Sequence, residues 1–104
     1  MNSINNNNLK NFFTNRFTKI RYSHNSGNSQ EDAIKILGAQ NTFDGIEAEY
    51  KYISRIYGKE NEDWRLLIQA LLIDKNKQFD HLEILLKSGE KVEFYFDVSD
   101  FLGR

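Results

Sequence analysis

A chain of 104 residues is long enough for a single domain, and the absence of cysteine excludes disulfide staples and thiolate metal sites. The formal charge of −1 averages two unlike parts: residues 1–22 carry four basic residues and no acid, and the rest carries ten basic against fifteen acidic residues. An acidic body repels phosphate backbones, which argues against nucleic acid as a partner.

The amino-terminal part reads as an address. On a helical wheel over residues 9–22, Leu9, Phe12, Phe13, Phe17 and Ile20 share one sector, with Lys10, Lys19 and Arg21 outside it and Arg16 inside. A basic amphipathic helix without acids resembles a mitochondrial presequence, with Asn where Ser is usual. An apolar stripe suits a hydrophobic receptor groove, and the membrane potential draws each positive charge inward with about 2.3 kcal/mol per 100 mV. "LKNFF" (9–13) has the apolar-x-x-apolar-apolar spacing of import-receptor ligands. Arg21 stands two residues before a cut between Tyr22 and Ser23, as the processing peptidase prefers. The expected organisation is a cleaved presequence over 1–22, a flexible linker over 23–30 ("SHNSGNSQ") and a small acidic domain over 31–104. Residues 9–22 would engage the import machinery, and the destination would be mitochondrial, in the matrix. No stretch can span a bilayer, since the longest apolar run is "LLIQALLI" (66–73), broken by Gln69.

Along the body, Ser29 as N-cap, Glu31 and Asp32 in a first turn and Gly38 as a stop predict a short helix with Ala33, Ile34 and Leu37 inward. Phe43, Ile46, Tyr50, Ile53 and Tyr57 are spaced 3, 4, 3, 4 and predict a long amphipathic helix ending at Gly58. Asp44 with Glu47 resembles a capping box, with Thr42 and Asn41 as alternative caps.

The remainder reads as strands. Residues 64–73 suit either a helix capped by Asp63 or, preferred here, a strand with Trp64, Leu66, Ile68, Ala70 and Leu72 on one face. "DHLEILLK" (80–87) and "KVEFYFDV" (91–98) alternate strictly. A two-residue turn between them would set Glu83 opposite Phe94 in the core. A three-residue loop, Lys87–Gly89, instead pairs Ile84 with Val92 and Leu82 with Phe94, and leaves Gly89 at the left-handed position. The expected fold is therefore α+β: a short helix and a long amphipathic helix, then a three-stranded antiparallel meander packed on the long helix.

Chemistry is sparse. His81 shares an outer strand face with Glu83, near Tyr95 and Asp97, which is a weak polar-site candidate. Glu47 and Glu49 stand two apart on a helix and point apart, so they form no dyad. No Gly-rich phosphate loop or nucleophile elbow is present. No catalytic residue, metal ligand or cofactor is therefore assigned. Tyr52 and Ile56 beside the helical stripe, with Trp64 and Tyr95, form the expected interaction surface. The expected function is that of a small non-enzymatic mitochondrial protein acting through protein–protein contacts, as an accessory subunit or assembly factor of a larger complex. The competing expectation is a small enzyme or ligand-binding protein with a cup between helix and sheet, lined by Tyr50, Tyr57, Trp64 and Phe96 with His81 at its rim.

Overall fold

The computed structural model describes residues 20–104. Five strands and one helix are present there: β1 (Arg21–Tyr22), β2 (Ile34–Leu37), α1 (Thr42–Tyr57), β3 (Trp64–Asp74), β4 (Lys77–Leu86) and β5 (Lys91–Asp97). The strands form one mixed sheet in the order β1-β2-β5-β4-β3, with β2 parallel to β5 and every other pair antiparallel.

This corrects the expected fold class. A two-helix domain on a three-stranded antiparallel meander is replaced by one helix on a five-stranded mixed sheet. The difference begins at "AIKIL". A helix there would bury Ala33, Ile34 and Leu37 and leave Ile36 unused. As a strand the segment buries both β-branched residues, Ile34 and Ile36, each at 0% exposure. It also gives β5 a second partner, Ile34 opposite Phe96, so that β5 is central rather than an edge.

The carboxyl-terminal hairpin has the pairing that the loop argument requires, Ile84 opposite Val92 and Leu82 opposite Phe94. Leu86 N–H donates to the Glu90 carbonyl at 2.8 Å, and Gly89 takes φ 94. Residues 64–74 are a strand, but its expected single face is split. A bulge between Leu66 and Ile68 changes the parity, so Leu66 pairs with Ile84 whereas Ile68 pairs with Glu83. Trp64 and Leu66 therefore share the helix side with Ile84. Ile68, Ala70 and Leu72 share the opposite side with His81 and Glu83.

Helix α1 is capped by Asn41, whose side-chain oxygen accepts the Asp44 N–H at 2.8 Å, and ends at Gly58, φ 104. Its buried face is Gly45, Ala48, Glu49 and Ile53, and Tyr52 rests on Phe94 and Phe96. Of the expected stripe, Ile53 lies within this face, Ile46, Tyr50 and Tyr57 are half-buried at its margin, and Phe43 at its start is exposed. Small residues bring the helix close to its neighbours. A Cβ on Gly45 would lie 2.0 Å from the ring of Phe101, a fully buried residue in the turn after β5. The core joins Ile34, Ile36, Ile53, Leu82, Ile84, Phe96, Val98 and Phe101.

The expected presequence lies outside the described residues except for Ile20, Arg21 and Tyr22. Ile20 and Tyr22 pack against the core, and the Tyr22 hydroxyl donates to the Ala48 carbonyl at 2.8 Å. Ser23 exchanges hydrogen bonds with Lys35: its N–H donates to the Lys35 carbonyl at 3.0 Å and its hydroxyl accepts the Lys35 N–H at 2.8 Å. Within 23–30, Gly27 is buried and its carbonyl accepts the Tyr95 N–H at 2.8 Å. No described helix is long and apolar enough to cross a membrane.

Candidate interaction surface

The polar residues singled out in the sequence sit on the sheet face away from α1. His81 stacks on Tyr95 at 4.3 Å between ring centroids with 6° between planes, and His81 Nε2 lies 2.8 Å from Glu93 Oε1. The carboxylate partner is thus Glu93 rather than Glu83. The Tyr95 hydroxyl donates to the same Glu93 oxygen at 3.4 Å, and desolvation followed by the Glu93 charge raises its pKa above the ordinary tyrosine value. Glu83 stands opposite Glu93 in the ladder, and the Glu93 carboxylate is turned to the His81 ring and the Tyr95 hydroxyl. Asp97 is drawn to a different task. Its carboxylate accepts the Ser99 N–H at 3.0 Å and organises the turn after β5.

The expected cup is filled. Phe96 and Trp64 are buried, Tyr50 meets Trp64 at 5.9 Å, Tyr57 meets Phe94 at 6.2 Å, and the Trp64 indole N–H donates to the Gly58 carbonyl at 2.9 Å. Trp64 and most of Tyr52 therefore serve the core, while Ile56 is exposed on the helix flank. A surface depression of about 350 Å³ lies beside Lys35, Phe79 and Asp97, and His81 is not part of it. Among the described residues no group of three or more His, Asp or Glu side chains is placed to hold a metal ion.

Two acids absent from the sequence-level candidates meet beneath α1. Glu49 is wholly buried on the helix and Asp80 nearly so on β4, and Asp80 accepts a hydrogen bond from the Gln69 side chain of β3 at 3.0 Å. No donor among the described residues reaches either Glu49 oxygen when it is ionised. Burial, then the hydrogen bond to Asp80, then the charge of Asp80 push the Glu49 carboxyl up to about 10. Glu49 is accordingly held as a neutral acid beside Asp80, where burial disfavours its ionised form. One sequence signal points to it: Glu49 stands four residues from both Gly45 and Ile53, on the buried face.

Gln69 leads from this pair to β3, which carries three of the exposed large apolar side chains among the described residues. Strand β3 ends the sheet and is 11 residues long, and Ile68, Leu71 and Ile73 are 50%, 49% and 69% exposed. The orientation of its backbone follows from its neighbours. Lys87 N–H donates to the Asp63 carbonyl at 3.0 Å, and Leu86 N–H bonds on the other side, to Glu90. Antiparallel bonding alternates, so odd-numbered residues of β4 bond to β3 and even-numbered ones to β5. Through the register, Ile68, Ala70 and Leu72 bond to Glu83, His81 and Phe79. Gln69, Leu71 and Ile73 turn their N–H and C=O groups to the open edge.

Such edges are ordinarily blunted by lysine, proline or an inward charge. Residues 66–73 contain none of these, and the one protective irregularity is the bulge at the start of the run, between Leu66 and Ile68. The opposite edge of the sheet, β1, is two residues long.

No protein-family model, curated protein or solved structure matches this chain.

Proposed function

We propose that this chain is a small mitochondrial protein that acts through protein–protein contacts rather than by catalysis, as an accessory subunit or assembly factor of a larger complex. The observation that carries the reading is the β3 edge, where an uncharged run of apolar side chains and a row of backbone groups with no strand partner among the described residues lie together. An extended segment laid along that edge gains main-chain hydrogen bonds and apolar contact at once, which is how β-strand addition recognises a partner. The filled interface between helix and sheet favours a contact surface over a ligand cup.

Residues 9–22 supply the import signal in this reading, and the acidic body is the working part. Two experiments test it. A reporter fused to residues 1–30 collects in mitochondria, and diffuse cytosolic signal rejects the import reading. The native protein co-migrates with a high-mass complex on a native gel, and a lone species near the chain mass rejects the subunit reading.

A further inference from the structure

We infer that the β3 edge pairs with the β3 edge of a second copy of this chain, antiparallel about a two-fold axis at Ala70, to form a continuous ten-stranded sheet. The inference rests on the contact-protein reading above and identifies the surface's first partner.

The backbone restricts the register. The edge-facing groups belong to Gln69, Leu71 and Ile73, so a regular antiparallel ladder must bond odd-numbered residues to odd-numbered residues. Centring the axis on Leu71 sets Ile68 against the charge of Asp74. Centring it on Gln69 sets the charge of Arg65 against Ile73. Centring it on Ala70 lays residues 67–73 against their own copies, seven uncharged residues on each side, with the bulge residue Leu67 only at the end of the ladder opposite Ile73.

In that register Gln69 and Leu71 of the two copies exchange N–H···O bonds. On the face of His81, Ile68 meets Leu72, Ala70 meets itself and Leu72 meets Ile68. The axis falls on a pair without hydrogen bonds, where the chains approach to about 4.5 Å between Cα atoms, and the smallest side chain of the run occupies that place. A second copy is favoured over an unrelated segment because the run is complementary to its own reversal: it offers no charge for a partner to match, and its apolar side chains oppose apolar side chains throughout positions 67, 68, 70, 72 and 73.

The test uses the full chain. Sedimentation over a wide concentration range gives twice the 12.3 kDa chain mass for the unaltered protein. Leu71→Pro removes an N–H that the monomer leaves to solvent and blocks the edge, so its mass falls to that of one chain with the circular-dichroism spectrum retained. Because the chain lacks cysteine, single thiols report the register. Ala70→Cys is trapped as a disulfide dimer on mild oxidation, within the Cα separation that disulfides accept. Ile73→Cys, held about 20 Å from its copy, is not trapped. A single-chain mass at every concentration, a dimer indifferent to Leu71→Pro, or equal trapping of both thiols overturns the inference. A single-chain mass for a protein that still co-migrates with a high-mass complex, and loses it through Leu71→Pro, overturns the second copy and leaves the contact reading standing. A dimer that runs alone on the native gel supports the pairing and rejects the larger complex.

Discussion

Glu49 on the helix and Asp80 on β4 face each other as acids across the buried interface, and Glu49 holds its proton because burial denies it a charge. This makes stability depend on pH in an uncommon direction. The unfolded Glu49 carboxyl has its ordinary value of 4.5, and the folded one is near 10, so the folded chain binds one more proton between those limits. The contribution of this group is complete below 4.5 and is lost as pH rises toward 10, with a slope of up to about 1.4 kcal/mol per pH unit. Urea denaturation followed across that range should show stability falling with pH. Glu49→Gln keeps the shape and a donor for Asp80 but cannot ionise, so it should flatten the profile and be more stable than the natural chain at alkaline pH. An unchanged slope in the variant would assign the pH dependence elsewhere.

The close seat of α1 on Phe101 predicts an inversion of helix propensity. Alanine is ordinarily better than glycine inside a helix by about 1 kcal/mol. At Gly45 the added methyl would meet the Phe101 ring at 2.0 Å, with the ring fully enclosed. Gly45→Ala should destabilise by about 1–3 kcal/mol, the range for overpacked cores. Thermal denaturation of this single variant is sufficient to decide.

Tyr22 ties the start of the described chain to the helix. Its hydroxyl bonds to Ala48, and its ring lies 4.9 Å from that of Tyr52. Desolvation raises the hydroxyl pKa, which keeps it a donor through physiological pH. A chain beginning at Ser23 loses strand β1 and these contacts, and should be less stable by about 2 kcal/mol or more than one beginning at Ile20. On the proposed import reading, mass spectrometry of the mature chain shows whether cleavage spares β1 or falls at the Tyr22–Ser23 bond.

Asp32 gathers the loop before β2: its carboxylate accepts the Ser26 N–H at 2.9 Å, the Asn25 side-chain amide at 3.0 Å and the Ser26 hydroxyl. The Ser26 and Asn25 side-chain bonds, then the Ser26 N–H, hold its pKa below the ordinary aspartate value. Its contribution is therefore present above the unfolded value and lost as pH falls through the folded one. An NMR titration should find the Ser26 amide resonance moving with Asp32 at a pH below the ordinary aspartate value. Asp32→Asn should abolish that transition.

The body's strands β4 and β5, their three-residue loop and the long helix were legible because each follows from its own residues. Strict alternation, a glycine with positive φ and a capped run at helical spacing are local signals. The edge strand was legible as an apolar run, but its bulge was not, because Leu66–Ile68 contain no glycine or polar residue to announce a change of parity. Segment 34–37 was misread because four residues carry little periodicity. Its conformation is chosen by the free edge of β5, a partner about 60 residues away.

The sequence by itself determined the basic amino-terminal part and the acidic body, the lack of thiol chemistry, a long helix ending at Gly58 and the register of the last hairpin. Each of these depends on neighbours in the chain. Tertiary structure alone decided that Trp64 is core rather than surface, that His81 pairs with Glu93, that Glu49 is a neutral acid against Asp80, and that residues 66–73 are left on an open edge. Those outcomes depend on which groups distant segments bring together. Burial, and with it the cost of charge and the value of an apolar contact, belongs to the assembled layers rather than to any residue within them.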